Sequence, residues 1–454
     1  MSISPARKAA FQILIAVERG SSHSGDLLRG KAVNALSAPD RNLCTALVLG
    51  VLRWQSLLDL QLKDLLKKPG AKLDLEVLIA LRMGAFQLLH LDRIPASAAI
   101  DESVELAKHA GHRFASGMVN AVLRKLAAAG AKPEPEQTSP QQLALATAHP
   151  EWMVARWAQF YGMDGARAIC LHGQAQPTLA VRLASPDAEG ELTREGIVFE
   201  RSALLVSART VASGEAAVAE AARAGCLRIQ DEGSQLAGEI AAGAVDPAQS
   251  PLRILDTCAA PGGKTLILAE RNPHARILAC EASEQRIESL RARLSAYGDR
   301  IECRLVDAAT LAQDGSFDVA LVDAPCSGTG TMGRNPEIRH RLKLDDLPRQ
   351  AERQRAILAA ALGAVRLGGR VVYSTCSLEP EENEQVIAAV LAQCAHARTV
   401  PLADSLDSLA RAGVLVSTAA ARLRECLTPE GALRLLPSAF NTDGFFIAML
   451  QKIG

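Results

Sequence analysis

The sequence predicts a multidomain protein with an all-α N-terminal domain, a small α/β connector and a doubly wound α/β C-terminal domain. Three observations support this fold class. The chain has 454 residues, more than one ordinary domain requires. Apolar residues recur at helical spacing, with almost no strand signal, from Pro5 to Leu126. Short apolar runs alternate with helical stretches from Arg253 onwards. We place the three domains at residues 1–130, 145–235 and 236–454.

The composition is that of a soluble globular protein: 48% of the residues are hydrophobic and 22% are charged. The formal net charge is zero, so a nucleic-acid site must be built from local basic clusters. We expect no signal peptide, because no long apolar run follows the first basic residues. We expect no membrane span either, because Arg82 and His90 interrupt the most apolar stretch. Ten cysteines, none at C-x-x-C spacing, indicate reduced thiols in a cytoplasmic protein without a zinc site.

The N-terminal segment is predicted to be a bundle of helices. Asp40 is a plausible N-cap for an apolar stripe that continues to Leu52. A second stripe, from Val77 to Phe86, ends before Pro95; either Ser97 or Asp101 opens the next helix, and Ser116 to Leu126 forms another. The apolar residues are expected to pack the bundle, whereas three arginines are expected at its surface: Arg53, Arg93 and Arg124.

A linker and a small mixed domain are predicted to follow the bundle. Residues Ala127 to Gln142 are rich in alanine, proline and polar residues, as interdomain connections are. Pro150 to Tyr161 is expected to be helical and Leu179 to Leu183 to be a strand. The composition of this piece does not indicate its function.

The C-terminal segment is predicted to contain parallel βαβ units in a doubly wound sheet. Its strands are expected in six runs: RILDT, RILACE, RIECRLVD, FDVALVDAP, GRVVYSTCS and GFFIAML. Its helices are expected at Lys264–Arg271, Ser283–Tyr297, Asp346–Val365 and Pro380–Gln393. In such sheets ligands bind beyond the carboxyl ends of the strands.

Acidic residues and cysteines lie at the carboxyl ends of successive predicted strands. They are Asp256 with Cys258, Glu281, Asp307, Asp323 with Cys326, and Cys376. Packing alone would not place such residues there repeatedly, so we expect an active site at this edge. Glu281 is placed to accept hydrogen bonds from ribose hydroxyls, although by position alone it is equally a solvated acid. Asp307 is placed to accept from an adenine amino group.

The loop after the first strand, DTCAAPGGKT at 256–265, is built to approach a ligand closely. Its paired glycines leave room, and the following helix offers free N–H groups to an anionic end. The last three residues match the end of a nucleotide phosphate-binding loop. That motif requires a glycine where this chain has Cys258, so a phosphate-binding loop is disfavoured.

Cys326 and Cys376 are the predicted reactive groups. They follow the fourth and fifth strands, which are neighbours in the usual winding, so the two thiols are expected to face one pocket. Addition of a thiolate to C6 of a pyrimidine makes C5 nucleophilic, and a second cysteine would serve as the base that removes the C5 proton. The other cysteines are expected to be small buried hydrophobes.

The motifs resemble those of a known family. LVLGVLR at 47–53, LHLDRIPASAAIDESVELAK at 89–108 and GMVNAVLRKL at 117–126 resemble NusB-type RNA-binding domains. DTCAAPGGKT, DAPCSGTG at 323–330 and STCSLEPEENE at 374–384 are similar to the RNA 5-methylcytosine methyltransferases. The whole chain, with RIQDEGSQLAG at 228–238, GRNPEIRHRL at 333–342 and TDGFFIAMLQK at 442–452, resembles the bacterial small-subunit ribosomal RNA cytosine-C5 methyltransferases, also called Sun or Fmu.

The resemblance implies a Rossmann-like catalytic domain that takes a methyl group from S-adenosylmethionine, releases S-adenosylhomocysteine and needs no metal. It implies that the donor is held by Cys258, Ala259, Ala260, Pro261, Gly262, Gly263, Lys264, Glu281, Asp307 and Asp323. It also implies that Cys376 bonds to cytosine C6, that Cys326 assists release, and that Asp323 contacts the base. The family commonly has aspartate at Glu281, lysine at Arg339 and Arg-Val-Asn where Arg182-Leu183-Ala184 stands here.

The implied partner is ribosomal RNA, most simply 16S rRNA, bound by a monomer that needs neither DNA nor a membrane. A local basic cluster is expected either to contact phosphates or to form a solvated face: Arg334, Arg339, His340, Arg341 and Lys343. Two alternatives stay open. A DNA cytosine methyltransferase would use Cys326 as the nucleophile, and a non-catalytic RNA-binding or assembly factor would keep the fold without the chemistry.

Overall fold

The computed structural model describes residues 3–20, 22–68, 70, 72–130, 137–245, 251–437 and 439–454. The chain divides into two compact units. The first, which we call the helical unit, comprises Met1–Pro177 and Met332–Arg341; the second, the sheet unit, comprises Thr178–Thr331 and Leu342–Gly454. The helical unit therefore extends past residue 130 and takes up a short segment from the second half of the chain. The three-domain division at 130, 145 and 235 stays a prediction.

The described part of the helical unit is all-α, as predicted. Its core is formed by apolar faces of the first seven helices, with Leu47, Val51, Leu81 and Leu123 fully buried. The helices are α1 Pro5–Glu18, α2 Ser24–Leu28, α3 Lys31–Asn34, α4 Ala38–Leu65, α5 Leu75–His90, α6 Ala96–His109, α7 Ser116–Ala129, α8 Pro140–Ala146, α9 Glu151–Gln174 and, from the later segment, α15 Ile338–Arg341.

Helices α4 and α5 pack closely because Gly50 has no side chain. A Cβ atom at Gly50 would lie 2.0 Å from the Phe86 ring, well inside van der Waals contact. Helix α4 is capped by Ser37, whose side chain accepts a hydrogen bond from the Asp40 backbone N–H. The prediction that Asp40 is the N-cap was therefore wrong: Asp40 lies in the first turn, where its charge favours the helix N-terminus.

By length and composition, α4 could cross a membrane. Half of its most apolar window is buried inside the protein, as in the core helix of a water-soluble bundle. Packing thus accounts for its apolar character.

The predicted linker, 127–142, is shorter in the structure. Helix α7 continues to Ala129, and residues 131–136 lie outside the described residues. Helix α8 begins at Pro140 with a reciprocal cap, in which Ser139 and Gln142 each bond the other's backbone N–H. The predicted helix from Pro150 is confirmed as α9, which breaks at Gly162 and resumes to Gln174.

The sheet unit contains a small antiparallel sheet in the order β2-β3-β1-β4. Helices α10, Ala188–Arg194, and α11, Glu215–Arg223, accompany it. Its strands are β1 Leu179–Leu183, β2 Val198–Arg201, β3 Ala208–Ser213 and β4 Leu227–Ile229, so the predicted first strand is confirmed.

Arg182 of β1 is buried, and its guanidinium lies 2.8 Å from a Glu239 carboxylate oxygen and 3.5 Å from one of Glu270. This arginine therefore links β1 to the helices that carry Glu239 and Glu270 through ion pairs.

The larger sheet has the order β10-β12-β9-β8-β5-β6-β7, with β11 paired to β12. Strands β5 to β9 pair in parallel, and β12 runs antiparallel beside β9. The strands are β5 Arg253–Asp256, β6 Arg276–Glu281, β7 Ile301–Leu305, β8 Phe317–Asp323, β9 Val365–Thr375, β10 Ala397–Val400, β11 Leu433–Leu435 and β12 Phe445–Lys452. The helices are α12 Glu232–Ala242, α13 Gly263–Arg271, α14 Glu284–Leu294, α16 Asp346–Ala364, α17 Glu384–Gln393, α18 Ala403–Arg411 and α19 Ala419–Arg424.

The predicted parallel, doubly wound sheet is confirmed, and so is the expectation that the fourth and fifth predicted strands, β8 and β9, are neighbours. The predicted helix over Pro380–Gln393 was partly wrong. A short 3₁₀ turn covers Pro380–Glu382, and the α-helix begins only after Asn383, whose φ and ψ of −115° and −103° interrupt it. The position of this turn matters for the site.

Candidate active site

The parallel strands bring the predicted site residues to one edge of the larger sheet. Asp256, Glu281 and Asp323 are the last residues of β5, β6 and β8. Asp307 follows β7 by two positions, and Cys376 follows β9 directly. Because all five strands run in the same direction, their carboxyl ends lie together.

The two predicted reactive thiols are in contact. Strand register places Asp323 of β8 opposite Ser374 of β9, and the loops that follow bring Cys326 Sγ to 3.4 Å from Cys376 Sγ. The hydrogen bond to Cys376 raises the pKa of Cys326 well above its usual value, and burial and the negative charge of Glu382 act in the same direction. Cys326 therefore keeps its proton at neutral pH.

Asp323 is held between a lysine and a serine. Its Oδ2 lies 2.6 Å from Lys264 Nζ, and its Oδ1 accepts a hydrogen bond from Ser374 Oγ at 2.8 Å. Lys264 also donates to Ser234 Oγ at 2.7 Å and lies over the Phe445 ring, 5.5 Å from its centre. Lys264 thus fixes the orientation of the Asp323 carboxylate, three residues before Cys326.

The loop from Cys258 to Gly262 is held by its own backbone and by α14. The Ala259 N–H donates to the Cys280 carbonyl at 2.8 Å, and Arg286 donates to the Ala260 carbonyl at 2.6 Å. Gly262 has a φ of 98°, and a Cβ atom there would lie 3.1 Å from Leu290 Cδ1. Burial raises the pKa of Cys258 to about 12, so this third thiol is inert.

Pro261 and Gly263 complete this loop. Pro261 is exposed, and the peptide bond that precedes it is cis. Gly263 is the first residue of α13. The loop therefore leads directly into a helix N-terminus, where backbone N–H groups are free to bind a ligand.

Asp256 is a buried acid with spare acceptor capacity. Its Oδ2 accepts from Thr265 Oγ1 at 2.7 Å, while Oδ1 has no hydrogen-bond partner among the described residues. Burial raises the pKa of this carboxyl to about 7, and the charge of Asp323 acts in the same direction. A cationic ligand near Oδ1 would satisfy this atom.

Glu281 and Asp307 differ in burial. Glu281 is buried; its Oε1 accepts from the Ser283 N–H at 2.9 Å, and Oε2 is 3.5 Å from Arg286. Asp307 is exposed, and it accepts from the Ala309 N–H at 3.1 Å. Together with Asp256, these acids give three neighbouring strand ends the capacity to bind hydroxyl, amino or ammonium groups. The described residues contain no group of three His, Cys, Asp or Glu that could hold a metal ion.

The basic cluster was expected either to contact phosphates or to form a solvated face, and for Arg339 this was wrong. Arg339 is only 2% exposed, and its guanidinium donates to the carbonyls of Arg53, Ala148 and Gly173 at 3.0, 3.4 and 3.0 Å. His340 is exposed, and its Nε2 lies 2.8 Å from the Leu52 carbonyl oxygen. Peptide carbonyls of the helical unit therefore occupy the Arg339 guanidinium and one ring nitrogen of His340.

The prediction that Arg53 lies at the surface was also wrong. Arg53 is buried and donates to the Gly333 carbonyl at 2.9 Å, so it is no surface contact. Arg93 and Arg124 are exposed, as predicted. The sequence does not indicate either correction. An arginine in a polar stretch has the same sequence context whether its guanidinium donates hydrogen bonds to water or to buried carbonyls.

The doubly wound sheet with antiparallel β12, the loop before α13 and the acids at successive strand ends define a Rossmann-like, S-adenosylmethionine-dependent methyltransferase domain. Comparison with known proteins agrees. The 16S rRNA methyltransferase RsmB/F family matches residues 243–451, and the NusB family matches residues 4–128.

Two curated relatives match almost the whole chain. The probable ribosomal RNA small subunit methyltransferase B of Bacillus subtilis is 34% identical and covers 99% of each chain. Ribosomal RNA small subunit methyltransferase B of Pseudomonas putida is 33% identical and covers 98% of each. The crystal structure of PH0851 matches with a TM-score of 0.79 over 100% of both chains, and at 24% identity this likeness shows the fold. The chain belongs to the RsmB/F family of 16S rRNA methyltransferases, which confirms the predicted resemblance.

Proposed function

We propose that this protein methylates carbon 5 of a cytosine in 16S ribosomal RNA, with S-adenosylmethionine as donor, through a covalent bond between Cys376 and cytosine C6. The 3.4 Å contact between the two thiols at neighbouring strand ends carries this proposal. Membership in a family of 16S rRNA methyltransferases supports the substrate class. The chemistry explains why two thiols are needed, since one bonds to the base and the other handles a proton.

The reaction begins with addition of the Cys376 thiolate to C6, which makes C5 nucleophilic. The donor supplies the methyl group that C5 takes. The C5 proton then leaves to a base, and the C6–sulfur bond breaks to release the product. We assign Cys326 as this base: its thiol first loses its proton to water, and the resulting thiolate takes the C5 proton. The high pKa of Cys326 depends chiefly on the hydrogen bond to Cys376, and that cause weakens once Cys376 is bonded to carbon.

Asp323 is assigned to hold the base. Both of its oxygens are already engaged, by Lys264 and by Ser374. An ionised carboxylate offers about four acceptor positions, so Asp323 can still accept a bond from the cytosine amino group. The lysine and the serine fix its direction before the substrate arrives.

The donor is assigned to the loop Cys258–Lys264 and to the acids Asp256, Glu281, Asp307 and Asp323. The buried, unpartnered Oδ1 of Asp256 fits a positively charged donor, because a buried polar atom without a partner is costly. Glu281 is assigned to the ribose hydroxyls and Asp307 to the adenine amino group.

The test uses 16S rRNA fragments labelled with tritium at cytosine C5. The purified protein with S-adenosylmethionine should release tritium to water in proportion to methyl transfer, and Cys376→Ser should release none. Methyl transfer without tritium release would place the methyl group on another atom. Donor-dependent binding of RNA with neither event would indicate the alternative, a non-catalytic RNA-binding factor.

We also propose that the protein acts as a monomer in the cytoplasm and does not act on DNA. The NusB-type match to residues 4–128 supports an RNA-binding role for the helical unit. Cytosine-containing duplex DNA of the same sequence is therefore the control substrate in this assay.

A further inference from the structure

One buried carboxylate is bonded to both cysteine loops. Glu382, in the 3₁₀ turn after β9, is 0% exposed. Its Oε1 accepts from the Ser327 N–H at 2.8 Å, and its Oε2 accepts from the hydroxyls of Ser327 and Ser377. Ser327 directly follows Cys326, and Ser377 directly follows Cys376. Each reactive cysteine is thus one peptide bond away from a residue held by the same acid.

Two further side chains hold Glu382, one at its carboxylate and one at its backbone. Gln354 of α16 donates from Nε2 to Glu382 Oε1 at 3.0 Å and to the Pro325 carbonyl at 2.9 Å. The Tyr373 hydroxyl of β9 donates to the Glu382 carbonyl at 2.6 Å. The backbone and the side chain of Glu382 are both fixed, so the carboxylate is a rigid reference point.

Strand pairing alone does not set the distance between the two sulfur atoms. The last residues paired in register are Asp323 and Ser374, and the cysteines lie three and two positions beyond them. Beyond the register, the Gly330 N–H donates to the Cys376 carbonyl at 2.9 Å, and the hydroxyls of Ser327 and Ser377 lie 3.1 Å apart. The shared acceptor adds to these contacts, because both loops reach the same carboxylate.

We propose that Glu382 is a positioning residue that holds Cys326 within reach of Cys376 and of the C5 proton. This inference rests on the proposed function, in which the two thiols act on one base. Glu382 contacts neither the base nor the donor in this assignment; it acts through Ser327 and Ser377. Its negative charge also raises the pKa of Cys326, which favours the protonated thiol in the free enzyme.

The proposal predicts where the reaction should fail. Addition to cytosine C6 uses the Cys376 thiol, whereas release of the methylated base requires Cys326 to lie within reach of the C5 proton. A displacement of about 1 Å at a reacting group can cost about 100-fold in rate. In Glu382→Ala both loops lose their shared acceptor, so adduct formation should also slow. Adduct resolution, which needs both thiols in place, should slow more, by about 100-fold. The KM for RNA should stay within about twofold, since binding groups are untouched.

A dithiol reagent reports the spacing directly. Phenylarsine oxide bridges two thiols that lie close together, whereas iodoacetamide modifies each thiol separately. We expect Glu382→Ala to weaken bridging at Cys326 and Cys376 at least about tenfold, because bridging requires both loops to be aligned. Single-thiol alkylation should not fall, since loss of the Glu382 charge lowers the pKa of Cys326. Bridging by the remaining cysteines is subtracted with the double variant Cys326→Ala, Cys376→Ala.

Three further variants separate positioning from stability. Glu382→Gln keeps the shape of the side chain and one acceptor oxygen, so it should recover much of the bridging and of the adduct resolution. Ser327→Ala and Ser377→Ala each remove one loop's side-chain bond and should give intermediate losses. Glu352→Gln, at an exposed glutamate of α16, is the matched control and should behave as wild type.

Wild-type bridging and wild-type adduct resolution in Glu382→Ala, with donor binding retained, would overturn the positioning role. If Glu382→Ala does not fold, the same two measurements on Ser327→Ala and Ser377→Ala decide the question, and wild-type values in both would overturn it. Absence of any RNA adduct in Cys326→Ala, in which resolution is blocked, would instead count against the proposed function, while the arsenical measurement would still report the thiol spacing.

Discussion

At the scale of single residues, Cys326 and Cys376 lie 3.4 Å apart, yet the proposed reaction uses them at different stages. Cys376→Ala should be inactive and should form no covalent RNA complex, because attack at C6 comes first. Cys326→Ala should methylate once and then stall, since the C5 proton cannot leave. A slowly migrating, denaturant-resistant RNA–protein band on a gel should therefore appear with Cys326→Ala and S-adenosylmethionine.

The reverse pattern is equally informative. A stable adduct with Cys376→Ala and none with Cys326→Ala would assign the nucleophile to Cys326, as in the DNA-type alternative. Cys303→Ala is the control, because this cysteine lies inside strand β7 and is assigned to neither the donor nor the base, so its loss should not affect the adduct.

Asp256 should make donor binding depend on pH. Its carboxyl has a pKa of about 7 because it is buried, so it is ionised above pH 7 and protonated below. A proton and the cationic donor then compete for the same group. From pH 7 to pH 6 the donor affinity should fall about fivefold, and by pH 5 about tenfold further.

Calorimetry of donor binding across this range checks the expectation. Asp256→Asn should bind the donor more weakly and without the step near pH 7. A wild-type affinity that stays constant from pH 7 to pH 5 would remove Asp256 from the donor site.

At the scale of structural elements, the segment Met332–Arg341, which belongs to the helical unit, is held there by buried polar contacts. Glu337 is 1% exposed and accepts from the Ser24 N–H at 2.9 Å and from the Ser24 hydroxyl at 2.8 Å. Arg341 donates to the carbonyls of Val17 and Ser22 at 2.6 and 2.7 Å. Together with the bonds from Arg339 to peptide carbonyls, these hydrogen bonds attach the segment to the rest of the helical unit.

Loss of these bonds should destabilise the helical unit. Arg339→Met leaves three buried carbonyls without their donor, and we expect the free energy of unfolding to fall by about 2–4 kcal/mol. Arg339→Lys keeps the charge with fewer donors and should cost less. Thermal and urea unfolding measure both, with Lys343→Met, an exposed change just past the segment, as the control. A drop in Arg339→Met no larger than in the control would contradict this role.

The sequence predicted the elements well where a regular period or a strand-end motif was present. The five parallel strands, α13 and the contact between Cys326 and Cys376 are examples. It failed where long-range contacts decide. Arg53 and Arg339 looked like surface cations because their carbonyl partners lie far away in the chain. Glu382 stood inside a recognised motif, but its role depends on Ser327, which is 55 residues away.

At the scale of the whole molecule, a chain with zero net charge should bind RNA through a few exposed cations. Arg93 and Arg124 of the helical unit are exposed, whereas Arg53 and Arg339 are not. We expect Arg93→Gln with Arg124→Gln to weaken RNA binding and to lower the dependence of the binding constant on salt by about two units of slope. Donor binding should not change.

Fluorescence anisotropy at several salt concentrations measures this slope. An unchanged slope would place the RNA surface elsewhere. The double variant Arg223→Gln, Arg411→Gln, at two exposed arginines of the sheet unit, is the control for the same change in net charge.

The membership of Met332–Arg341 in the helical unit also has a consequence for biosynthesis. The unit's other described residues precede Thr178, so about 160 residues must be translated before this segment emerges. At about 5–20 residues per second, that interval lasts roughly 8–30 seconds. During this interval Ser24 and Arg53 of the nascent chain lack their hydrogen-bond partners, Glu337 and the Gly333 carbonyl. The helical unit therefore completes its native contacts only after β5 to β8 of the other unit have been made.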